Sequence, residues 1–325
     1  MNEVKWGIIG SGRIANKFAD SIKLVQNARL IACSSKDASK ALDFKNIHEL
    51  EFSYGNYEEM LLNPSIDAVY IATTHNFHYE NALLCIKYNK HILCEKAFTV
   101  NAIQAREIFD KAKEKNLFVM EGMWTRFLPV TSWLKEQVKN GQIGEPLKVF
   151  AQFGVNFPYD PDSRAFNINL AGGGLLDLGI YAISFVCNIL GTHPVEVSGD
   201  VVMGKTGVDE KASINLVYAD KKAANINYSL MEDYENTASV YGTTGKVTVD
   251  NLSTPTKGIL ENTQGVLEFE NKNSNGFEYE IQEATNLILK GETQSQVISA
   301  NDTISMLEIC DSLRKQWNFK YPEEK

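Results

Sequence analysis

VKWGIIGSGRIANKF, residues 4–18, decides the fold. A short apolar run of strand character enters G10-S11-G12-R13-I14-A15, and helical spacing follows at once. In this pattern Gly10 permits the tight turn, Gly12 lets backbone approach a pyrophosphate, and Ala15 keeps helix and strand close. The N-terminus of the helix then faces the phosphates, so Gly10, Ser11, Gly12, Arg13 and Ile14 are the expected pyrophosphate grip. Outward from this stretch the alternation continues: strand ARLIAC, a helix near residues 57–62, strand DAVYIAT, helix 79–88, strand HILC, helix 102–115 and strand LFVME. Such alternation marks βαβ units on a parallel sheet. The expected first domain, residues 1–122, is a doubly wound parallel sheet of Rossmann type.

Beyond Gly122 the pattern changes. LKVFAQFGV, VEVSGDVVM, SINLVYA, AANINYS, ASVYG and KVTVD read as strands that pair through Gly or Asn turns. Residues 123–325 are therefore expected to form an α+β domain with a large, mostly antiparallel open sheet. Helices are expected at 175–190, 280–289 and 300–316. ENKNSNGFE, residues 270–278, reads as a strand connection and not as a linker.

Bulk properties restrict the partners. With 325 residues, 44% hydrophobic and 22% charged, the chain is long enough for two cores and too mixed for disorder. Forty-one acidic against 32 basic side chains give a formal charge of -9, which disfavours nucleic acid and anionic membrane as partners. Cys33, Cys85, Cys94, Cys187 and Cys310 are widely spaced in apolar contexts, so neither a disulfide framework nor a metal site is expected. MNEVK runs straight into the first strand and no segment approaches bilayer-spanning length by eye, so a cytoplasmic chain without a signal peptide is the expectation.

Cofactor choice is written at the end of the second strand, where an acid would hold the ribose 2'-hydroxyl of NAD. The chain has Ser34, Ser35 and Lys36 there, two hydroxyls and a cation suited to a 2'-phosphate, with Asp37 one step beyond and facing the next helix. NADP is the expected cofactor, with NAD as the alternative. Ligands of open parallel sheets bind beyond the carboxyl ends of the strands. Two strand ends deliver polar groups there: Thr73, Thr74, His75 and His78 after the fourth, and Glu95 with Lys96 at the close of the fifth. At the head of a helix His78 also fits a capping or packing role, and Glu95 fits a salt bridge that orients Lys96. Farther on, the glycine-rich entry Gly172-Gly173-Gly174 precedes an apolar helix on which Asp177 and Tyr181 stand four residues apart. Gly179 between them costs about 1 kcal/mol of helix stability relative to Ala, which points to close approach by a backbone or ligand.

Taken together, GSGRIA at 10–15, ILCEKA at 92–97, EGMWTRFLP at 121–129, DSRAFN at 162–167 and GGGLLDLGIY at 172–181 resemble the glucose-fructose oxidoreductase / inositol dehydrogenase / MocA family. The look is closest to its dihydrodiol dehydrogenase and D-xylose dehydrogenase branch. The resemblance implies that Lys96 is the lysine of a Glu-Lys-Pro motif beside nicotinamide and substrate, that Tyr181 is the catalytic tyrosine, and that Asp177 is the acid one turn earlier. It further implies that Trp124 and Arg126 line the cofactor and substrate pocket and that Arg164 comes from a covering loop. The substrate set is thus Lys96, Trp124, Phe153, Arg164, Asp177 and Tyr181, and the second-domain sheet makes a homodimer or homotetramer. Three positions depart from the family pattern: Ala97 replaces the proline, Ser184 stands in for an acid, and Thr74 replaces another proline.

The implied chemistry is hydride transfer between NADP(H) and a secondary alcohol or carbonyl carbon of a sugar or cyclic diol. Tyr181 exchanges the proton. A phenol titrates near 10, so the Lys96 ammonium is needed to bring it down. The alternatives are an NADP- or sugar-sensing protein of the same fold without chemistry, and an anhydrosugar or keto-inositol reductase.

Overall fold

The computed structural model describes residues 2–272, 275–322 and 324. The connection read at 270–278 therefore lies partly outside the described residues. Two compact units are present: Met1–Thr99, Ile103–Trp124 and Asn275–Thr303 form the first, and Val100–Ala102, Thr125–Ser274 and Ile304–Lys325 the second.

In the first unit the chain runs β1 (Val4–Ile9), α1 (Arg13–Ser21), β2 (Ala28–Ser34), α2 (Ala38–His48), β3 (Phe52–Tyr54), α3 (Tyr57–Leu61), β4 (Ala68–Ile71), α4 (His78–Lys87), β5 (His91–Glu95), α5 (Ala102–Glu114) and β6 (Val119–Gly122). The six strands are parallel in the order β3-β2-β1-β4-β5-β6. This is the dinucleotide-binding order, with its switch point between β1 and β4, where a crevice opens beyond the strand ends. The strands are near-continuous apolar runs because helices cover both faces. Helix α2 carries only Ala41 and Phe44 as buried residues, too few for a 3.6-residue stripe to announce it in the sequence.

The second unit adds α6 (Pro129–Lys139), β7 (Pro146–Gly154), a π-turn at Leu175–Gly179 continued by α7 (Ile180–Leu190), then β8 (Glu196–Met203), β9 (Asp209–Val217), β10 (Ala223–Ser229), β11 (Ala238–Gly242), β12 (Gly245–Val249), β13 (Lys257–Asn262) and β14 (Gly265–Glu270). Its eight strands are ordered β14-β13-β12-β11-β7-β10-β9-β8, antiparallel throughout except where β10 runs parallel to β7. Helix α7 packs on β7 and β10, and α6 packs on β12 and β13, with Trp133 stacked 5.5 Å from Phe269.

Two expectations change. A cut at 122 places residues 275–303 in the second domain, yet they belong to the first unit. The helix α8 (Glu278–Lys290) buries Ile281, Ala284 and Ile288 on one stripe, and that stripe covers α1 and β1. Gln26 N donates to Gln282 Oε1 at 3.0 Å and Val119 N donates to the Thr293 carbonyl at 3.2 Å, which fixes the segment there. The chain closes with α9 (Ala300–Gln316). Second, one stretch, Ile168–Leu190, is in fact long and apolar enough to cross a membrane, and 89% of its most apolar 18-residue window is buried in the core of the second unit.

Candidate active site

At the end of β1, Gly10 has φ +104°, and a Cβ there would sit 2.8 Å from the Ala72 carbonyl oxygen after β4. Only glycine fits, so the turn is drawn tightly against the switch point. Gly12 caps α1 in extended conformation, and a Cβ on it would meet nothing within 4 Å. Gly12 and Arg13 are exposed while Ser11 and Ile14 are half-buried. An open approach to the amides of a helix N-terminus fits a pyrophosphate.

At the end of β2 the three polar groups part company. The Ser34 hydroxyl is buried and donates to the Tyr54 carbonyl at 3.2 Å. Ser35 Oγ accepts from Asp37 N at 3.2 Å. Lys36 is exposed and holds its ammonium 4.4 Å from the Phe77 ring centroid. Asp37 is engaged as the N-cap of α2, accepting from Ser39 N at 2.9 Å, Ser39 Oγ at 2.7 Å and Lys40 N at 3.3 Å. The Ser39 hydrogen bond, ahead of the backbone one from Lys40, holds its carboxyl below the usual range.

Beyond β4, Thr73 Oγ1 accepts from Asn81 Nδ2 at 3.1 Å, Thr74 Oγ1 donates to Asn76 Oδ1 at 2.7 Å, and the His75 ring lies 5.7 Å edge-on from His78. His78 is wholly buried, with Nε2 3.0 Å from the Thr73 carbonyl and Nδ1 2.9 Å from the Ala97 carbonyl. Burial pushes its pKa down. With a carbonyl oxygen facing each ring nitrogen, the buried imidazole is a clamp between strand ends. The clamp acts on the segment that carries Lys96.

Lys96 is half-buried at the end of β5, and the Lys96–Ala97 peptide is cis. Ala97 and Phe98 are fixed by their neighbours: His78 holds the Ala97 carbonyl, and Phe98 N donates to Glu121 Oε1 at 3.2 Å. Glu121 Oε2 in turn accepts from Thr303 Oγ1 at 2.8 Å. Packing and hydrogen bonds therefore hold the turn that alanine alone does not. Glu95 beneath is buried and accepts a short hydrogen bond from the Tyr70 hydroxyl. Burial raises its pKa, opposed by Tyr70, the Lys96 ammonium and Lys17.

Also in the first unit, Trp124 is buried with its ring 5.1 Å from Phe277, and the Lys17 ammonium stands 4.0 Å from the Trp124 centroid and 4.2 Å from that of Phe277. Sequence reading missed Lys17, Phe277 and Glu280. Glu280 is fully buried, and neither oxygen has a hydrogen-bond partner among the described residues. Burial first, then the neighbouring Glu95, raises it well above the carboxylate range, while Lys17 opposes the rise. A glutamate beside Phe277, Ile281 and Ala284 on the buried stripe was the available signal.

In the second unit Asp177 is buried and pairs with the exposed Arg164 through Nη1 at 3.1 Å. Tyr181 is half-buried, its ring 5.6 Å edge-on from Phe153. Arg126 is buried and donates from Nε to Ser184 Oγ at 2.9 Å and from Nη2 to the Ser184 carbonyl at 3.3 Å. It anchors α7, which bears Tyr181. Gly179 meets close approach, by a phenol ring: its Cβ would lie 2.8 Å from Tyr228 Cδ1.

A parallel dinucleotide-binding sheet followed by an open antiparallel sheet, with a lysine at the end of β5, defines an NAD(P)-dependent oxidoreductase acting on CH–OH groups. Residues 4–123 match the model described as oxidoreductase family, NAD-binding Rossmann fold, and residues 131–248 match the GFO/IDH/MocA C-terminal domain. The chain is 31% identical over 329 residues to a trans-1,2-dihydrobenzene-1,2-diol dehydrogenase of Xenopus tropicalis, covering 98% of this chain and 99% of that one. Against the Homo sapiens enzyme of the same name it is 32% identical over 333 residues, with 99% of each chain covered. The chain belongs to the Gfo/Idh/MocA family of oxidoreductases. Solved structures share the fold: a 3-ketoreductase from Actinomadura kijaniata in complex with NADP and TDP-benzene superposes with TM-score 0.87 at 22% identity over 97% of this chain and 98% of that one. An aldose-aldose oxidoreductase from Caulobacter crescentus complexed with glycerol gives 0.88 at 21% identity, over 96% and 97%.

Proposed function

We propose that the protein interconverts a secondary alcohol and its ketone on a cyclic diol or sugar with NADP(H), Tyr181 and Lys96 serving one proton-transfer centre. The observation that carries this reading is the bracing of Lys96: a buried carboxyl lies beneath it, and its following turn is clamped by His78 and Glu121. An ammonium on a solvated rim needs no such support. Full-length likeness to trans-1,2-dihydrobenzene-1,2-diol dehydrogenases supports the same class of substrate.

In the oxidative direction the carbinol carbon loses a hydride and its hydroxyl loses a proton. A bound nicotinamide supplies the hydride acceptor. Tyr181 takes the hydroxyl proton, and the Lys96 ammonium favours the phenolate and the developing alkoxide. Arg164 and Asp177 orient the neighbouring hydroxyl, while Phe153 and Trp124 supply apolar walls.

The preference for NADP rests on Asp37 being engaged as a helix cap and on Lys36 standing exposed over Phe77. Self-association through the second unit's sheet is part of the same reading. The face of that sheet with half-buried Phe150, Gln152, Asn225 and Asn227 is the surface we assign to it.

Turnover of trans-1,2-dihydrobenzene-1,2-diol and a panel of aldoses with NADP+, followed at the nicotinamide absorbance, tests the assignment. Tyr181→Phe is expected to lower kcat by roughly 10²–10⁴-fold, the range of general acid–base catalysis, and Lys96→Met by about 10²-fold or more. Near-normal rates in both variants would remove the proposed centre. Lys36→Glu is expected to weaken NADP+ binding by about 10- to 100-fold, the worth of one charge-assisted hydrogen bond. An unchanged NADP+/NAD+ affinity ratio would reject the cofactor assignment.

A further inference from the structure

Asp209 opens β9 in the second unit and is wholly buried. Its Oδ2 accepts from two donors, Leu175 N at 2.6 Å and the Tyr228 hydroxyl at 2.6 Å. Leu175 is the first residue of the π-turn that leads to Tyr181, with Asp177 inside the turn. The glycine-rich entry is shaped to this pair. A Cβ on Gly173, which has φ +121°, would lie 2.3 Å from Asp209 Oδ1, and one on Gly174 would lie 2.5 Å from Tyr228 Cε2. The Tyr321 hydroxyl completes the seat by donating to the Gly172 carbonyl at 3.0 Å. Gly173 and Gly174 therefore let a helix start settle onto a carboxylate and a phenol, while Gly172 lies against the carbonyls of Arg164, Ala165 and Asn167, and none of the three needs a ligand to explain it.

We infer that Asp209 is a positioning residue, which with Tyr228 fixes the entry of the Leu175–Gly179 turn and so sets where Asp177 and Tyr181 stand. This rests on the function proposed above. An ionised Asp209 offers Oδ2 to both donors at full strength, while a protonated one is a weaker acceptor and the turn is released.

The groups facing Asp209 are Tyr228 on β10, Arg314 on α9 and Tyr321 after it, with Asp311 and Glu324 engaging Arg314 and Cys310 of α9 beside the two tyrosines. Burial raises Asp209 to about 6, while Tyr228, the Leu175 amide and Arg314 restrain the rise. Tyr228 and Tyr321, both pushed far up by burial, stay neutral across the same range. Positioning is accordingly lost as pH falls through about 6.

Asp209→Asn and Tyr228→Phe test this in the full chain. The Asn variant mimics the protonated acid, so kcat is expected to fall by roughly 10- to 100-fold, the cost of a small misplacement, with the KM for NADP+ unchanged. The limb at about 6 in the kcat profile should vanish. Tyr228→Phe removes a hydrogen bond that holds Asp209 down, so its limb should move to higher pH. This keeps the idea falsifiable should the Asn variant fail to fold. Hydrogen exchange of the amides at 172–181, corrected for intrinsic rates, supplies a readout free of substrate: wild-type protection should fall between pH 7 and pH 5, and the Asn variant should show the low value at both. Wild-type kcat and an unmoved limb in both variants, or pH-independent wild-type protection, would overturn the inference. Loss of wild-type turnover on every substrate would instead count against the proposed function, with the exchange arm still deciding the role of Asp209.

Discussion

Asp209 and Glu280 are both carboxyls at zero exposure, one in each unit, and their surroundings treat them oppositely. Asp209 receives two hydrogen bonds of 2.6 Å at one oxygen and feels the Arg314 charge, which limits the effect of burial to a pKa of about 6. Glu280 receives none among the described residues and faces two further acids, Glu95 and Glu121, against the single opposing charge of Lys17, so it is driven well above the carboxylate range. Depth of burial is the same. The difference lies in donors aimed at the charged form, which stabilise it, against like charges, which exclude it. At neutral pH the first acid is therefore mostly an anion that holds a backbone turn, and the second is biased towards its neutral form within an apolar helix face.

Removal of each side chain should expose this contrast most strongly. Asp209→Ala leaves the Leu175 amide and the Tyr228 hydroxyl as buried donors without an acceptor, and each costs about 1–3 kcal/mol. A loss on the order of 3–5 kcal/mol is expected in urea unfolding at pH 7. Glu280→Gln keeps the shape and removes the titrating group, so it should not destabilise the protein at pH 7. Equal losses in the two variants would erase the distinction.

The sequence carries one half of this contrast better than the other. The alternation of parallel strands with helices, the Gly10–Gly12 turn, the Lys96 strand end and the Asp177–Tyr181 helix were all legible, because each is a local pattern of period, turn residue or strand terminus, whereas the short β3 and the order of the strands were not. The supports were not. Asp209 meets Leu175 from 34 residues away, and Glu121 meets Thr303 from 182, so no window along the chain contains both partners. Strands β13 and β14 were missed as well: β14 is exposed at five of its six positions, which gives no alternation to read. The helix α6 carries Pro129 at its first turn, a start signal that the LP dipeptide hides among apolar residues.

Titration of stability sharpens the comparison next. Both acids have folded values above their ordinary ones, so each contribution to stability is whole below the ordinary value and is lost as pH rises through the folded one. For Asp209 the window runs from 3.8 to about 6. A rise of about 2 units corresponds to about 3 kcal/mol, so Asp209→Asn, which mimics the protonated acid, should gain on wild type by that order between pH 4 and pH 7. For Glu280 the loss begins above 4.5. Glu280→Gln should match wild type under acidic conditions and become the more stable protein on the alkaline side. Thermal unfolding across pH 4–9 measures both, and parallel profiles for Glu280→Gln and wild type would mean that Glu280 is already ionised in the native protein.

The smallest expected effect belongs to Lys17, whose ammonium lies over Trp124 and Phe277 while it faces Glu280 and Glu95. Lys17→Met keeps the length of the side chain and removes the charge. The lost cation–π contact is worth about 0.5–2 kcal/mol, and the lost attraction to Glu95 adds to it. Against this stands the burial of the ammonium itself, the largest of the influences on its pKa and one that lowers it. The opposing contributions leave a net change within about 1 kcal/mol at pH 7. The pH dependence is more telling than the size. Because Lys17 restrains the rise of Glu280, its removal should push Glu280 higher still and move the alkaline loss of stability to higher pH. A shift of that loss to lower pH in Lys17→Met would show that the acid in question is held by something other than its neighbouring charges.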